Sequence, residues 1–351
     1  MGKSSLFMTS CAFTLLGLTE AFAVLPTPAY VDTIAGNNTN AGIGCPVNLP
    51  CADLNTALSV ISDGGQVIIS KGGVFGPVVL TSGVTITGTE PNTDTNIVAD
   101  PTAMVGCVGN LPGACGQTNH GYAVEVAVPA DDGVSISHVV MSAGISGGAG
   151  ALKLTTGNSL DLAYDIFRGR GDTATGPVVA LYPNNSGTSS VLVSIAHSDI
   201  GYNGSGPAAG AIEVKPGGST SLALYVNHVV VHHASYGIRT DGSLVTAGTL
   251  VSTAISETDF FGLTVAAVNA FSTMGTGTVE ATFDTTRILN TGTGLKANGP
   301  LSSVVITNNT VTANTIGVQQ QNGATIFTSG TNTIKNNGTN VSGTLTPSST
   351  M

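Results

Sequence analysis

Between about residue 150 and residue 340 one phrase recurs: a glycine, an alternating apolar strand, a turn, a second alternating strand and a polar, Asn-bearing corner. It opens as GALKL at Gly150, GPVVAL at Gly176, GAIEV at Gly210, GIRTD at Gly237, GLTV at Gly262, GLKA at Gly294 and GVQQQ at Gly317. Successive starts lie 26, 34, 27, 25, 32 and 23 residues apart. A unit of fixed order and variable length marks a solenoid, with the extra residues of the longer copies placed in loops. Each copy holds about three short strands, too few to fold alone. Stacking copy on copy buries their inward side chains and pairs each backbone group with the unit above and below.

The composition agrees. With 9% charged residues and a mean hydropathy of +0.31 the chain has ample apolar surface to bury, which excludes intrinsic disorder. Val, Ile, Thr, Ser, Asn and Gly supply short strands and turns. A net charge of −10 leaves nothing to neutralise phosphates, so no nucleic-acid partner is expected. Antiparallel sandwiches and outer-membrane barrels also use Thr- and Gly-rich alternating strands. Barrel strands, however, run to about ten residues between aromatic girdles, and this sequence has neither.

The N-terminus reads as an export signal. Lys3 gives a positive start, Cys11 to Leu18 an apolar core, and Ala21-Phe22-Ala23 a small-x-small cleavage site, so residues 1–23 are expected to be removed. No membrane span is expected after cleavage, and the protein is expected to be secreted, periplasmic or on the cell surface. Four cysteines then remain, as two close pairs around Asn-Leu-Pro turns, CPVNLPC and CVGNLPGAC. Four cysteines allow three pairings, of which the local ones, Cys45 with Cys51 and Cys107 with Cys115, are the simplest. The segment Ala52–Ile61 has helical spacing and stops at Asp63-Gly64-Gly65. Residues 90–120 read as a loop inserted into an early unit, and Thr344–Met351 as a loose tail.

The opening of the mature chain carries a recognisable set: Tyr30, Val31, Gly36, Cys45, Pro46, Pro50, Cys51, Leu54, Ala57, Gly64, Gly65, Val67, Ile69, Gly72, Phe75, Ile86 and Gly88. It resembles the N-terminal cap and first rungs of secreted right-handed parallel β-helix proteins of the pectate-lyase-like superfamily. The resemblance implies an all-β, right-handed parallel β-helix over residues 30–343 behind a short capping helix. For activity it implies a polysaccharide lyase or a glycoside hydrolase, although folds of this kind host several functions.

A β-helix lyase needs a basic group near the proton beside a uronate carboxylate, and acidic residues holding Ca²⁺ to neutralise that carboxylate. The densest charges are Asp161, Asp165, Arg168, Arg170 and Asp172, with Asp199 one unit later. Overlaying the units puts Asp165 beside Asp199 and Arg170 beside Asn203, with Tyr164, Phe167 and Tyr202 near enough to present a glycan-binding surface with Asn203. Asp165, Asp199, Arg168 and Arg170 are therefore the candidate catalytic residues. Solvated charges at a wide turn are the competing reading, and a W-x-D-H lyase strand is missing. Hydrolase signatures are missing too, since no N-T-D or G-H-G occurs and Asp131-Asp132 lies in a turn sequence.

The same overlay stacks Asn203, His233, Asn290, Asn314 and Asn337 in one corner column. His197, His228, His232 and His233 form a second cluster, in which His228 and His232 share a strand face and could hold a metal with Glu257 or Asp259. A lateral face without metal explains them more simply, so no metal site is expected. A complete scaffold without a complete catalytic motif points to an exported, non-catalytic protein that contacts glycan or another surface through a lateral face. The alternative is a lyase or hydrolase of the superfamily. No cofactor is expected, except Ca²⁺ if the protein is a lyase.

Overall fold

A computed structural model describes residues 27–89, 95–98, 122–143, 150–169, 176–203, 206 and 209–348. The chain winds as a right-handed parallel β-helix whose strands form three long sheets of 12, 10 and 10 strands. Each turn of the helix, or rung, contributes one strand to each. The first sheet takes the longer strands, such as Ser189–Ala196 and Thr220–Asn227. The second takes three-residue strands such as Ile166–Arg168, Asp199–Gly201 and Val230–His232. The third takes the strands that start in the repeated phrase, such as Gly150–Thr156, Gly210–Val214 and Tyr236–Asp241.

Alternation sets the inside. In Ser189–Ala196, Val191, Val193 and Ile195 are buried while Leu192 points out. Phe167, Phe260 and Phe283 are the largest fully buried side chains. At the N-terminal end Asp53 caps the helix Leu54–Leu58 by accepting from the Asn55 and Thr56 amides, and Leu54 and Ala57 close the first rungs. The helix is shorter than its sequence pattern, because the chain bends off after Ser59. Cys45 and Cys51 form the expected disulfide. The expected leader, and Cys107 with Cys115, lie outside the described residues. Among the described residues no helix is long and apolar enough to cross a membrane.

The sheet pairings correct the sequence overlay in several places. Residues 90–120 are not all loop, since Thr95–Val98 is a strand of the second sheet paired with Gly73–Phe75. Nor is the C-terminal segment all tail, since Thr346–Pro347 pairs with the strand Thr325–Ser329. The repeated glycines are not equivalent. Gly150 and Gly210 share one position in the ladder with Tyr122 and Tyr236, whereas Gly237, Gly294 and Gly317 fall one residue later. At Gly294 a Cβ would meet the Gly317 carbonyl oxygen at 2.4 Å, so the next rung packs onto bare backbone there. What recurs is a small residue at the entrance to the third sheet.

The corner column likewise splits in two. Tyr202, His233, Gly262, Asn290, Ala313 and Asn336 form a run of left-handed residues, with φ between 49° and 64°. The following residues, Asn314 and Asn337, point inward as a hydrogen-bonded ladder on Thr291. A parallel ladder that the overlay missed runs through Thr286, Asn309 and Asn332 at the preceding corner. Asn suits these places because it tolerates the left-handed region and can both accept and donate along the axis.

Candidate functional site

Two polar clusters lie at the same height on adjacent faces. The first is on the second sheet. In the outward row that contains Arg168, Gly201 and His232, the middle rung has no side chain. A Cβ at Gly201 would lie 2.5 Å from the His232 ring. His232 therefore leans over Gly201 from one side and Arg168 reaches in from the other. Both meet Asp199, which sits two residues before the glycine. His232 Nε2 donates to Asp199 Oδ1 at 3.1 Å, and the Arg168 guanidinium donates to the same oxygen.

Burial alone would raise the Asp199 carboxyl, but the hydrogen bonds from His232 and Arg168 and the guanidinium charge outweigh it and hold Asp199 below the usual carboxylate range. The other side of His232 is tied down as well, its Nδ1 lying 2.8 Å from Nδ1 of His233. Arg168 also covers one face of Tyr202 at 5.1 Å, and His233 stacks on the other at 5.5 Å. Replacing Gly201 with alanine is expected to push His232 off Asp199 and raise the Asp199 pKa towards its ordinary 3.8, as read by carboxyl ¹³C titration.

The remaining candidates from the sequence do not join this group. The second-sheet pairing sets Ile166 against Asp199, which moves Asp165 one position away from the overlay. Its side chain is 1% exposed and accepts from the Val139 amide at 2.9 Å, so it faces the interior. Burial pushes its pKa well above the usual value. Tyr164 is at the other corner, with its ring faces covered by His138 at 5.0 Å and His197 at 4.8 Å. His228 extends that stack and pairs with Glu257. Asn203 is fully buried and donates to the Gly176 and Gly210 carbonyls, closing the corner between them. The residue against it in the preceding rung is Gly169, not Arg170. Arg170 and Asp172 lie outside the described residues. Among the described residues no group of three or more His, Cys, Asp or Glu could hold a metal ion.

The second cluster was missed by sequence reasoning. Along the third sheet one outward row runs Glu125, Lys153, Ala180, Glu213, Arg239, Asn269 and Lys296. Tyr182, Lys215 and Asp241 stand two residues further along three of these rungs. Lys153 lies 3.7 Å from Glu125, Arg239 lies 3.6 Å from Glu213 and 3.3 Å from Asp241, and Lys215 lies 3.2 Å from Asp241. Burial pushes the Asp241 carboxyl up, but hydrogen bonds from Ser243 and the Lys215 charge bring it below the usual range. Tyr182 donates its hydroxyl to Glu213, and burial together with that carboxylate pushes the phenol far above its usual value. Burial does the same to Tyr122. Two buried polar atoms here have no partner, Arg239 Nε and Asn269 Oδ1.

Both clusters begin in rungs with long connections. Residues 143–149, 169–178 and 202–209 join the second sheet to the third in this region, whereas three or four residues suffice in every later rung. The signal was in the repeat itself, because Lys153, Glu213, Arg239, Asp241 and Lys296 are the charged letters of GALKL, GAIEV, GIRTD and GLKA.

No family model and no curated protein matches the chain. Solved structures do. One is an alginate lyase from Paenibacillus sp. str. FPU-7, with 13% identity, covering 90% of this chain and 99% of that one, at a TM-score of 0.52. Another is pectate lyase Pel9A, with 14% identity, covering 90% of this chain and 78% of that one, at a TM-score of 0.54. At such identities the likeness establishes the fold. The chain has the parallel β-helix fold.

Proposed function

We propose that the protein acts outside the cell by binding an acidic polysaccharide along the third sheet, and that it holds this ligand without cleaving it. The observation that carries the reading is the concentration of cations. Four of the chain's ten Lys and Arg residues, Lys153, Lys215, Arg239 and Lys296, stand on this one face of a protein with net charge −10. With rungs about 4.8 Å apart, Lys153 to Lys296 spans about 24 Å, a run suited to several sugars of an extended chain. The ion pairs at 3.2–3.7 Å are looser than the roughly 2.7–2.9 Å of a tight charge-assisted bond. Ligand carboxylates and hydroxyls can therefore compete for these donors.

Binding without cleavage is supported by the state of the cluster. β-Elimination needs a base with a free lone pair, whereas the Tyr182 phenol is held protonated on Glu213, and Lys215 and Arg239 face an ionised Asp241. The two lyases of the same fold supply the competing reading, a lyase acting on a uronate polymer.

Calorimetric titration with alginate, polygalacturonate and neutral dextran tests the proposal. The two acidic polymers are expected to bind, more weakly as salt rises, and dextran is not. Arg239→Ala is expected to weaken binding at least tenfold with an unchanged circular dichroism spectrum. Equal binding of dextran, or full binding by Arg239→Ala, would overturn the proposal. Appearance of the ultraviolet absorbance of unsaturated uronates in the same mixtures would replace it with the lyase reading.

A further inference from the structure

The left-handed corner column is interrupted once. From Tyr202 it continues to His233, whose ring stacks on it, and it resumes at Asn290, but between them stands Gly262. The three atoms nearest to a Cβ built at Gly262 all belong to His233, at 3.7–3.8 Å, which is ordinary van der Waals contact and not a clash. Gly262 thus leaves this rung of the column without a side chain. With rungs about 4.8 Å apart, His233 and Asn290 face each other across about 9.6 Å. That is wide for a single flat aromatic ring and suits the thicker ring of a sugar.

The walls of this space have a defined polarity. Asp199 fixes the proton of His232 on Nε2, because a carboxylate only accepts. In the neutral pair, His232 Nδ1 then accepts from His233 Nδ1–H across 2.8 Å, which leaves His233 Nε2 as a bare acceptor beside Gly262. Asn290 is exposed and its amide has no hydrogen-bond partner among the described residues. Phe261 stands edge-on to His233 at 5.8 Å and adds an apolar flank. The opening thus offers a ring face, an apolar flank, one acceptor and one amide.

We propose that this gap is a subsite for one pyranose ring, which stacks on the face of His233 and bonds the Asn290 amide through a hydroxyl. The site is separate from the cation row of the third sheet and does not depend on it. Asp199 and His232 act here as positioning residues, through His233.

Gly262→Asn is the test variant, because Asn takes the left-handed conformation readily and already fills the same column at Asn290 and Asn336. It should fold normally and plug the gap. The probes are the methyl pyranosides of glucose, galactose and mannose and the corresponding uronates, followed by saturation-transfer NMR and by the His233 ring signals. At least one probe is expected to receive saturation and to shift the His233 Cε1–H signal. Both effects should be lost in Gly262→Asn and weakened at least fivefold in Asn290→Ala, while alginate binding sensitive to Arg239→Ala is unchanged. No saturation transfer to any probe, or transfer that survives Gly262→Asn, would overturn the subsite. Loss of alginate binding in Arg239→Ala alone reports only on the third sheet, so the two proposals fail separately.

Discussion

Asp165→Asn is expected to stabilise the protein at neutral pH by about 1–3 kcal/mol, the usual range for relieving an orphaned buried polar group. The Asp165 carboxyl lies inside the second sheet's entrance with one oxygen on the Val139 amide and the other, Oδ2, without a partner. Further along the same corner the fold solves this position with Asn309. There Oδ1 accepts from the Thr286 amide as Asp165 does from Val139, and Nδ2 donates to the Phe283 carbonyl. An Asn at 165 has the same geometry available, and it removes the charge.

The pH dependence follows from the sign of the shift. Burial raises the folded-state pKa of Asp165 above its ordinary 3.8. Its favourable contribution is fully present below that ordinary value and is lost as pH rises through the folded-state value. Urea unfolding of the two proteins should agree most closely in acid and diverge towards neutrality, with Asp165→Asn the more stable. A variant that is less stable than the parent at neutral pH would refute this account. Polysaccharide binding should be unchanged, because Asp165 reaches neither polar face. A loss of binding or activity on this substitution would restore the catalytic role that the sequence suggests for it.

The fold is legible because stacking imposes the same demand on every rung, so one phrase repeats often enough to be recognised. Its register is less legible for a physical reason. Two neighbouring positions at the third-sheet entrance both tolerate or require a small residue, so Gly210 and Gly237 look alike although they differ by one place in the ladder. Asp165 was displaced in the same way. Tyr164 before it is in the left-handed region, φ 60°, and a residue of that kind resets which of its successors point inward. Sequence alternation alone cannot show that reset.

The pairing of Arg168 with Asp199 could be anticipated from charge density. The arrival of His232 depends on Gly201 vacating the rung between, which only the stacked structure reveals. The third-sheet cluster was visible as letters and invisible as a site. Lys153, Glu213 and Arg239 are 26 to 86 residues apart in sequence, and nothing along the chain marks them as one row.

Asn314→Ala is expected to destabilise the C-terminal rungs by about 2–4 kcal/mol, since it leaves several buried groups unpaired at 1–3 kcal/mol each. Oδ1 of Asn314 accepts from both the amide and the hydroxyl of Thr291, and Nδ2 donates to the Ile288 carbonyl and to Asn337. Asn314 and Thr291 are buried, so water cannot replace these bonds without opening the corner. Asn337, by contrast, is only partly buried, and its truncation should cost less. In a solenoid each rung is stabilised mainly by its neighbours, so the damage stays local. Hydrogen exchange in Asn314→Ala should therefore accelerate in the strands from Thr310–Thr312 to Thr346–Pro347 before it changes in Gly210–Val214 or Tyr236–Asp241. Uniform acceleration along the whole chain would mean that the β-helix unfolds as one cooperative unit, and that the Asn ladders act on all of it rather than on the rungs they join.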